Sequence, residues 1–165
     1  MSYIQYYSSP LGNLVMASDG EALTGLWFEG QKYFGSTLSG TLEENDLPVF
    51  RQTANWLELY FSGKQPDFIP ELALEGSPFR ILVWEILLSI PYGQTATYGE
   101  IASAAAERLS RSHMSAQAVG GAVGHNPVSL IVPCHRVLGA DGSLTGYAGG
   151  TERKKALLAL ESQNI

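Results

Sequence analysis

Leu130-Ile131-Val132-Pro133-Cys134-His135-Arg136-Val137-Leu138 holds the only cysteine of the 165-residue chain, with a histidine directly after it. The apolar, β-branched lead-in predicts a buried strand that ends at or near Cys134. Val132 precedes proline and is pushed toward extended geometry. A thiol is the best neutral-pH nucleophile among side chains once its pKa is lowered. A histidine and an arginine are the right kinds of neighbour for that. On the Cys-His pair alone the competing reading is a buried filler cysteine followed by a loop, because free cysteine is commonly buried. Successive strand residues point to opposite faces. Cys134 and His135 therefore act together only if the backbone turns sharply after Pro133, or if a water bridges sulfur and imidazole.

Working outward, the length fits one globular unit or two small ones. An apolar content of 45% supports a real core. One cysteine rules out an internal disulfide and fits a reducing compartment. It also rules out a multi-cysteine metal site, and three scattered histidines give no ligand spacing. The start Met1-Ser2-Tyr3-Ile4-Gln5 lacks a basic region followed by an apolar run, so no signal peptide is read. No apolar stretch is long enough to span a bilayer. These features predict a soluble, cytoplasmic protein with no membrane partner. The net charge of −6 argues at first against a nucleic-acid binder. The charge is unevenly spread, however. Residues 1–76 carry three Lys/Arg against ten Asp/Glu, a net −7, and residues 77–165 carry seven against six, a net +1. Arg108, Arg111, Arg136, Arg153, Lys154 and Lys155 remain as a modest phosphate footprint.

The N-terminal part reads as a β-meander with strands at 3–7, 13–18 and 23–29. Ser9-Pro10-Leu11-Gly12 and Asp19-Gly20 supply the turn chemistry. Residues 35–47 are polar and read as a loop. From Pro48, residues Phe50, Ala54, Leu57 and Phe61 share one helical face, and Gly63 stops the helix. Residues 64–76, with Pro66 and Pro70, read as an extended linker. No catalytic constellation is visible in this part. Ser77-Pro78 then opens a helix with Phe79, Leu82, Val83 and Ile86 on its apolar face, closed at Pro91 and Gly93. Thr97-Tyr98-Gly99-Glu100 is a capping box for a helix reaching about Leu109. Residues 110–114 turn, and Ser115 to Gly124 form a small-residue helix. Two helices across a short turn suggest a helix-turn-helix. A helix made of Ala118, Gly120, Gly121 and Ala122 is poor on propensity alone, because of its glycines. Close approach explains them, either to a neighbouring helix or to an external surface. Thr151, read as the cap, starts a last helix to Glu161, whose carboxylate faces the negative end of the dipole. It is either an exposed glutamate or one recruited to hold His135.

The central stretch resembles the active-site signature Pro-Cys-His-Arg-Val of the O6-alkylguanine-DNA alkyltransferases. The resemblance runs on through Ala118-Val119-Gly120-Gly121-Ala122, Asn126-Pro127-Val128, Gly146-Tyr147-Ala148-Gly149-Gly150 and Leu157-Leu158-Ala159-Leu160-Glu161. It covers roughly Pro78 to Glu161. It implies an α+β protein in two parts. Residues 1–76 are an antiparallel β-meander with a helix and a linker, acting as a scaffold. Residues 77–165 are a mainly helical, winged-helix-like DNA-binding and alkyl-transfer domain.

The resemblance also implies a mechanism. Cys134, a water, His135 and Glu161 stand in line, with His135 taking the thiol proton and Glu161 holding the imidazole. Asn126 holds the strand and the water relay. The substrate is O6-alkylguanine in double-stranded DNA, with O4-alkylthymine as a second substrate. The base is flipped out of the stack. Tyr98 donates to the purine as negative charge spreads over it. Tyr147, Ala148, Gly149, Ser129 and Val137 line the pocket, with Lys154 nearby. Ser115, Gln117, Ala118, Gly121 and Arg136 face the DNA. Gln117 departs from the family, which often has an arginine there to fill the gap left by the flipped base. The product is a thioether with no displaceable group, so one turnover per molecule is expected. No metal, no cofactor and no obligate protein partner are expected, and the chain reads as a monomer. The competing functions are a catalytically silent relative that recruits other repair factors, a Cys-His-Glu hydrolase, and a DNA-binding module without activity. The presence of Cys134 speaks against the first. The hydrolase would need an oxyanion hole and an acyl site, and neither is visible.

Overall fold

The computed structural model describes residues 1–144 and 146–162. The chain forms two compact units. Among the described residues, the first comprises residues 1–75 with 127–129, and the second comprises residues 76–126, 130–144 and 146–162.

The first unit is built on the predicted meander. Strand β1 (Ser2–Ser9) pairs antiparallel with β2 (Gly12–Ser18), and β2 pairs antiparallel with β3 (Leu23–Phe28). Ser9 stands opposite Gly12 across Pro10-Leu11, and Gly12 takes a φ of 126°, a conformation that favours glycine. The Asp19 carboxylate accepts the N–H groups of Glu21 and Ala22 at 3.0 Å and closes the second loop. β3 is buried along its whole length, Thr24 included.

A fourth strand was not legible. β4 (Leu42–Glu44) lies parallel to β1 at the sheet edge, inside the span read as a loop. Three exposed residues, two of them glutamates, carry no strand pattern. The linker reading also needs correction. Leu23 N–H donates to Glu71 O at 2.8 Å, and Ala73 N–H donates to Leu23 O at 3.0 Å, so this segment rides along β3. Residues 127–129 do the same at Leu26, through Leu26 N–H to Pro127 O at 2.8 Å and Ser129 N–H to Leu26 O at 2.9 Å. Both segments blunt an edge that is otherwise open to unwanted pairing.

Helix α1 (Pro48–Phe61) packs on β1 and β2. Its buried face is Phe50, Thr53, Trp56, Leu57 and Tyr60, while Ala54 and Phe61 are only half-buried. Thr53 can join the face because its hydroxyl donates to Val49 O at 2.8 Å. Gly63, with φ 88°, ends the helix, as expected.

In the second unit, α2 (Pro78–Leu88), α3 (Tyr98–Arg108) and α4 (Ala116–Gly124) pack on one another. Ser77 caps α2, and the Thr97/Glu100 capping box on α3 forms both of its reciprocal bonds. Ser115 caps α4 by accepting the N–H groups of Gln117 and Ala118. Trp84 of α2 donates its indole N–H to Ala122 O of α4 at 2.8 Å. β5 (Ala96–Thr97) and β6 (Val137–Leu138) form a short parallel ladder. α5 (Thr151–Ser162) begins at Thr151, so the cap position falls on Gly150, whose carbonyl accepts Lys154 N–H at 3.1 Å. Among the described residues, no helix is long and apolar enough to cross a membrane.

Candidate active site

Cys134 does not end a strand. Leu130 has a φ of 72°, a left-handed conformation rare for leucine. Pro133, at φ −82° and ψ 64°, is the centre of an inverse γ-turn closed by Cys134 N–H on Val132 O at 2.8 Å. Cys134–Arg136 then make one 3-10 turn before β6. The run is apolar because the whole loop is buried, and a short buried loop carries the same residue types as a buried strand. Its backbone is satisfied from a side chain, since Asn126 Nδ2 donates to Val132 O at 2.8 Å. The backbone thus bends sharply at Pro133.

Cys134 is buried, and burial pushes its thiol up from the ordinary value. A hydrogen bond from Asn126 and the charge of Lys154 work against that rise. The Lys154 ammonium is buried and donates to Val137 O at 2.5 Å, which ties α5 to β6. Burial pulls Lys154 down, and the nearby Cys134 acts in the opposite direction.

His135 Nε2 lies 2.5 Å from Glu161 Oε2, with the two side chains 0% and 1% exposed. Glu161 is therefore the recruited carboxylate of the two alternatives. The other oxygen, Oε1, accepts Arg136 Nε–H at 2.7 Å and Gly93 N–H at 3.3 Å. Burial alone would raise the Glu161 pKa, but the hydrogen bonds and charges of His135 and Arg136 outweigh it and bring it to about 2. Burial holds the His135 imidazole below its ordinary value. Glu161 pulls it upward, and Arg136 and Lys154 push it down.

Tyr147 is buried, its ring edge-on to His135 at 6.5 Å between centroids, and its hydroxyl has no hydrogen-bond partner among the described residues. Burial raises the phenol well above its usual value. Gly149 lies against that ring, where an added Cβ would sit 2.6 Å from it. Ala148 beside it is half-buried. Tyr98 opens α3 with its hydroxyl over Gly146, and its phenol is raised by burial and then by nearby Cys134. Ser115, Gln117, Ala118 and Gly121 are all exposed on α4. A Cβ on Gly121 would meet nothing within 4 Å, so internal packing does not explain that glycine.

Two expected positions differ. Ser129 is buried in the first unit, its hydroxyl on Gln31 Oε1 at 3.3 Å. Its neighbours on the β3 edge take it there. Arg136 is only 8% exposed and turns inward to Glu161 and to Ile90 O, so its guanidinium is not displayed to solvent. Tyr92, over which Arg136 lies at 5.6 Å, and the Gly93 N–H belong to a loop that the sequence marked only as a helix end. Its Pro-Tyr-Gly composition was the available signal. Among the described residues, no three His, Cys, Asp or Glu side chains are grouped to hold a metal ion.

A single buried thiol with a histidine–carboxylate pair nearby, on a unit with a capped two-helix turn, defines a protein built for thiol chemistry. Residues 78–163 match the 6-O-methylguanine DNA methyltransferase DNA binding domain, and residues 2–74 match the ribonuclease-like domain of the same family. The chain is 44% identical to the methylated-DNA–protein-cysteine methyltransferase of Haemophilus influenzae, over 96% of this chain and 86% of that one. It is similar to the solved structure of Mycobacterium tuberculosis OGT in complex with DNA, at 42% identity and a TM-score of 0.85, covering 99% of this chain and 94% of that one. An O6-methylguanine DNA methyltransferase from Methanococcus jannaschii shares 30% identity at a TM-score of 0.66, covering 98% and 95%. The chain belongs to the 6-O-methylguanine DNA methyltransferase family.

Proposed function

We propose that this protein repairs DNA by direct reversal. It moves a methyl or small alkyl group from O6-alkylguanine in duplex DNA onto Cys134, once per molecule. O4-alkylthymine is a second substrate. The observation that carries this reading is the buried Cys134 thiol, bonded by Asn126, one residue from the His135–Glu161 pair at 2.5 Å.

Because burial keeps the resting thiol protonated, its proton must leave as the sulfur attacks. His135 accepts it, directly or through a water, and Glu161 stabilises the imidazolium. The S–C bond forms while the C–O6 bond breaks. The electron pair goes to the purine, which takes up a proton and returns to guanine. Tyr98 donates to the purine as that charge develops. Tyr147, whose buried hydroxyl has no partner among the described residues, supplies a polar group for the base, with Gly149 giving its ring room. Lys154 holds β6 in place and favours the thiolate by its charge. The exposed face of α4, bare at Gly121, lies along the DNA, and Gln117 fills the gap left by the flipped base. Residues 1–76 act as the scaffold, and residues 77–165 carry DNA binding and transfer. The chain acts as a monomer in the cytoplasm, without a cofactor.

The test uses O6-benzylguanine beside an acylating probe of similar size. Benzyl transfer mapped to Cys134 in wild type, and absent from Cys134→Ser, supports the reading. Acylation with turnover and no benzyl transfer would replace it by a hydrolase. A silent relative that only recruits other factors would react with neither probe.

A further inference from the structure

The reading above, on which this inference rests, leaves Arg136 without a task. A phosphate ligand keeps its guanidinium fork in solvent, whereas this one is 8% exposed. Its Nε–H donates to Glu161 Oε1 at 2.7 Å, its Nη1 donates to Ile90 O at 2.8 Å, and its guanidinium carbon lies 5.6 Å from the centre of the Tyr92 ring.

We propose that Arg136 is a positioning residue of this site: it commits one oxygen of Glu161 to its guanidinium, so that the other oxygen is presented to the His135 imidazole. A carboxylate on a single bond can rotate, and its two oxygens are equivalent until something distinguishes them. Arg136 and the Gly93 N–H make that distinction at Oε1. A buried ion pair is weak evidence for stability, since apolar replacements are often as stable. Its place here fits a task in the chemistry better.

The charge balance points the same way. The groups facing His135 are Glu161 and Lys154 from α5, Cys134 and Arg136 from its own turn, and Tyr147, whose ring is edge-on to it. Of the charged ones, only Glu161 favours the imidazolium, while Arg136 and Lys154 oppose it. Burial does most to keep the imidazole neutral at rest and free to accept a proton, and Arg136 adds to that without displacing the carboxylate that later stabilises it.

The experiment compares wild type with Arg136→Met and Arg136→Lys. Transfer is timed on free O6-benzylguanine, which has no phosphate, and on an O6-methylguanine duplex. In parallel the His135 imidazole is titrated by NMR in unreacted protein. Arg136→Met should slow both substrates by a similar factor, about tenfold or more, a part of the roughly 10²–10⁴ that general base catalysis supplies. It should also move the His135 titration to higher pH. Arg136→Lys keeps the charge and loses the fork. It should leave the titration near wild type and recover only part of the rate. A loss confined to the duplex, with the titration unmoved, would make Arg136 a phosphate ligand and overturn the proposal. Unchanged rates on both substrates would overturn it too. If Arg136→Met does not fold, the lysine variant decides: a wild-type rate on the free base means that the fork is not needed. Failure of the wild type to transfer from either substrate would sink the acceptor reading instead, and the titration would still report on Arg136.

Discussion

His135 and Glu161 meet at 2.5 Å although they lie 26 residues apart in sequence, because the turn after Pro133 and the last turn of α5 converge. A carboxylate at a helix C-terminus faces the negative end of the dipole and is unfavourable there by itself. The Arg136 guanidinium and the Gly93 N–H offset that at one oxygen, which frees the other for the imidazole.

Glu161→Gln removes the charge that stabilises His135 when it carries the proton. Transfer should slow by more than DNA affinity falls. The rate of Cys134 alkylation by iodoacetamide, followed against pH, should shift to higher pH, because the thiolate loses a partner imidazolium. An unshifted profile would reduce Glu161 to a packing residue.

Stability should fall in acid in two stages. The folded His135 value lies below its ordinary 6.5, so the folded protein resists the protonation that the unfolded chain accepts. Its contribution is present above 6.5 and is lost as pH falls below it. The folded Glu161 value is about 2 against an ordinary 4.5, so its contribution is present above 4.5 and is lost between 4.5 and 2. Urea midpoints measured from pH 7 down to 2 should decline through both windows. In Glu161→Gln the lower stage should flatten, and a lower stage equally steep in that variant would contradict the assignment.

Gly121 separates folding from DNA binding. Its Cβ position is open and it lies within α4, so Gly121→Ala should stabilise the helix by about 0.5–1 kcal/mol. The melting temperature should rise by roughly 2–4 °C per kcal/mol. Gly121→Gln adds bulk to the outer face. It should weaken reaction with duplex and leave free O6-benzylguanine unaffected. Equal rates on duplex for glycine and glutamine would mean that this face does not touch DNA.

Gln117 is exposed in the first turn of α4. If it plugs the stack, Gln117→Arg should tighten duplex binding through added charge and length. Gln117→Gly should slow the duplex reaction alone, since a free base needs no extrusion. Equal loss on both substrates would point to damage to the helix, and no loss on either would place the plug elsewhere.

Strands β1 to β3 and helices α1 to α5 were legible because turn residues, apolar faces and, in α2 to α4, caps are local. Ser77, Thr97 and Ser115 each bond a backbone N–H two or three residues on. What was not legible depends on partners distant in sequence. β4 exists only by lying beside β1, and the 71–73 and 127–129 segments take their geometry from β3. The loop at Cys134 looked like a strand because burial selects apolar residues in either shape. Only Pro133 marked the bend. At the site, the residue types were readable from the motif, but the inward turn of Arg136 was not. An arginine next to a functional stretch looks the same whether it meets a phosphate or a buried glutamate. The glutamate lies 25 residues away.

Single-turnover transfer to Cys134 is tested by the intact mass of the protein after incubation with excess O6-methylguanine duplex. Each chain should gain one methyl group in place of one hydrogen, the gain should stop at one, and peptide mapping should place it on Cys134. An unchanged mass, or a methyl group on any other residue, would contradict it.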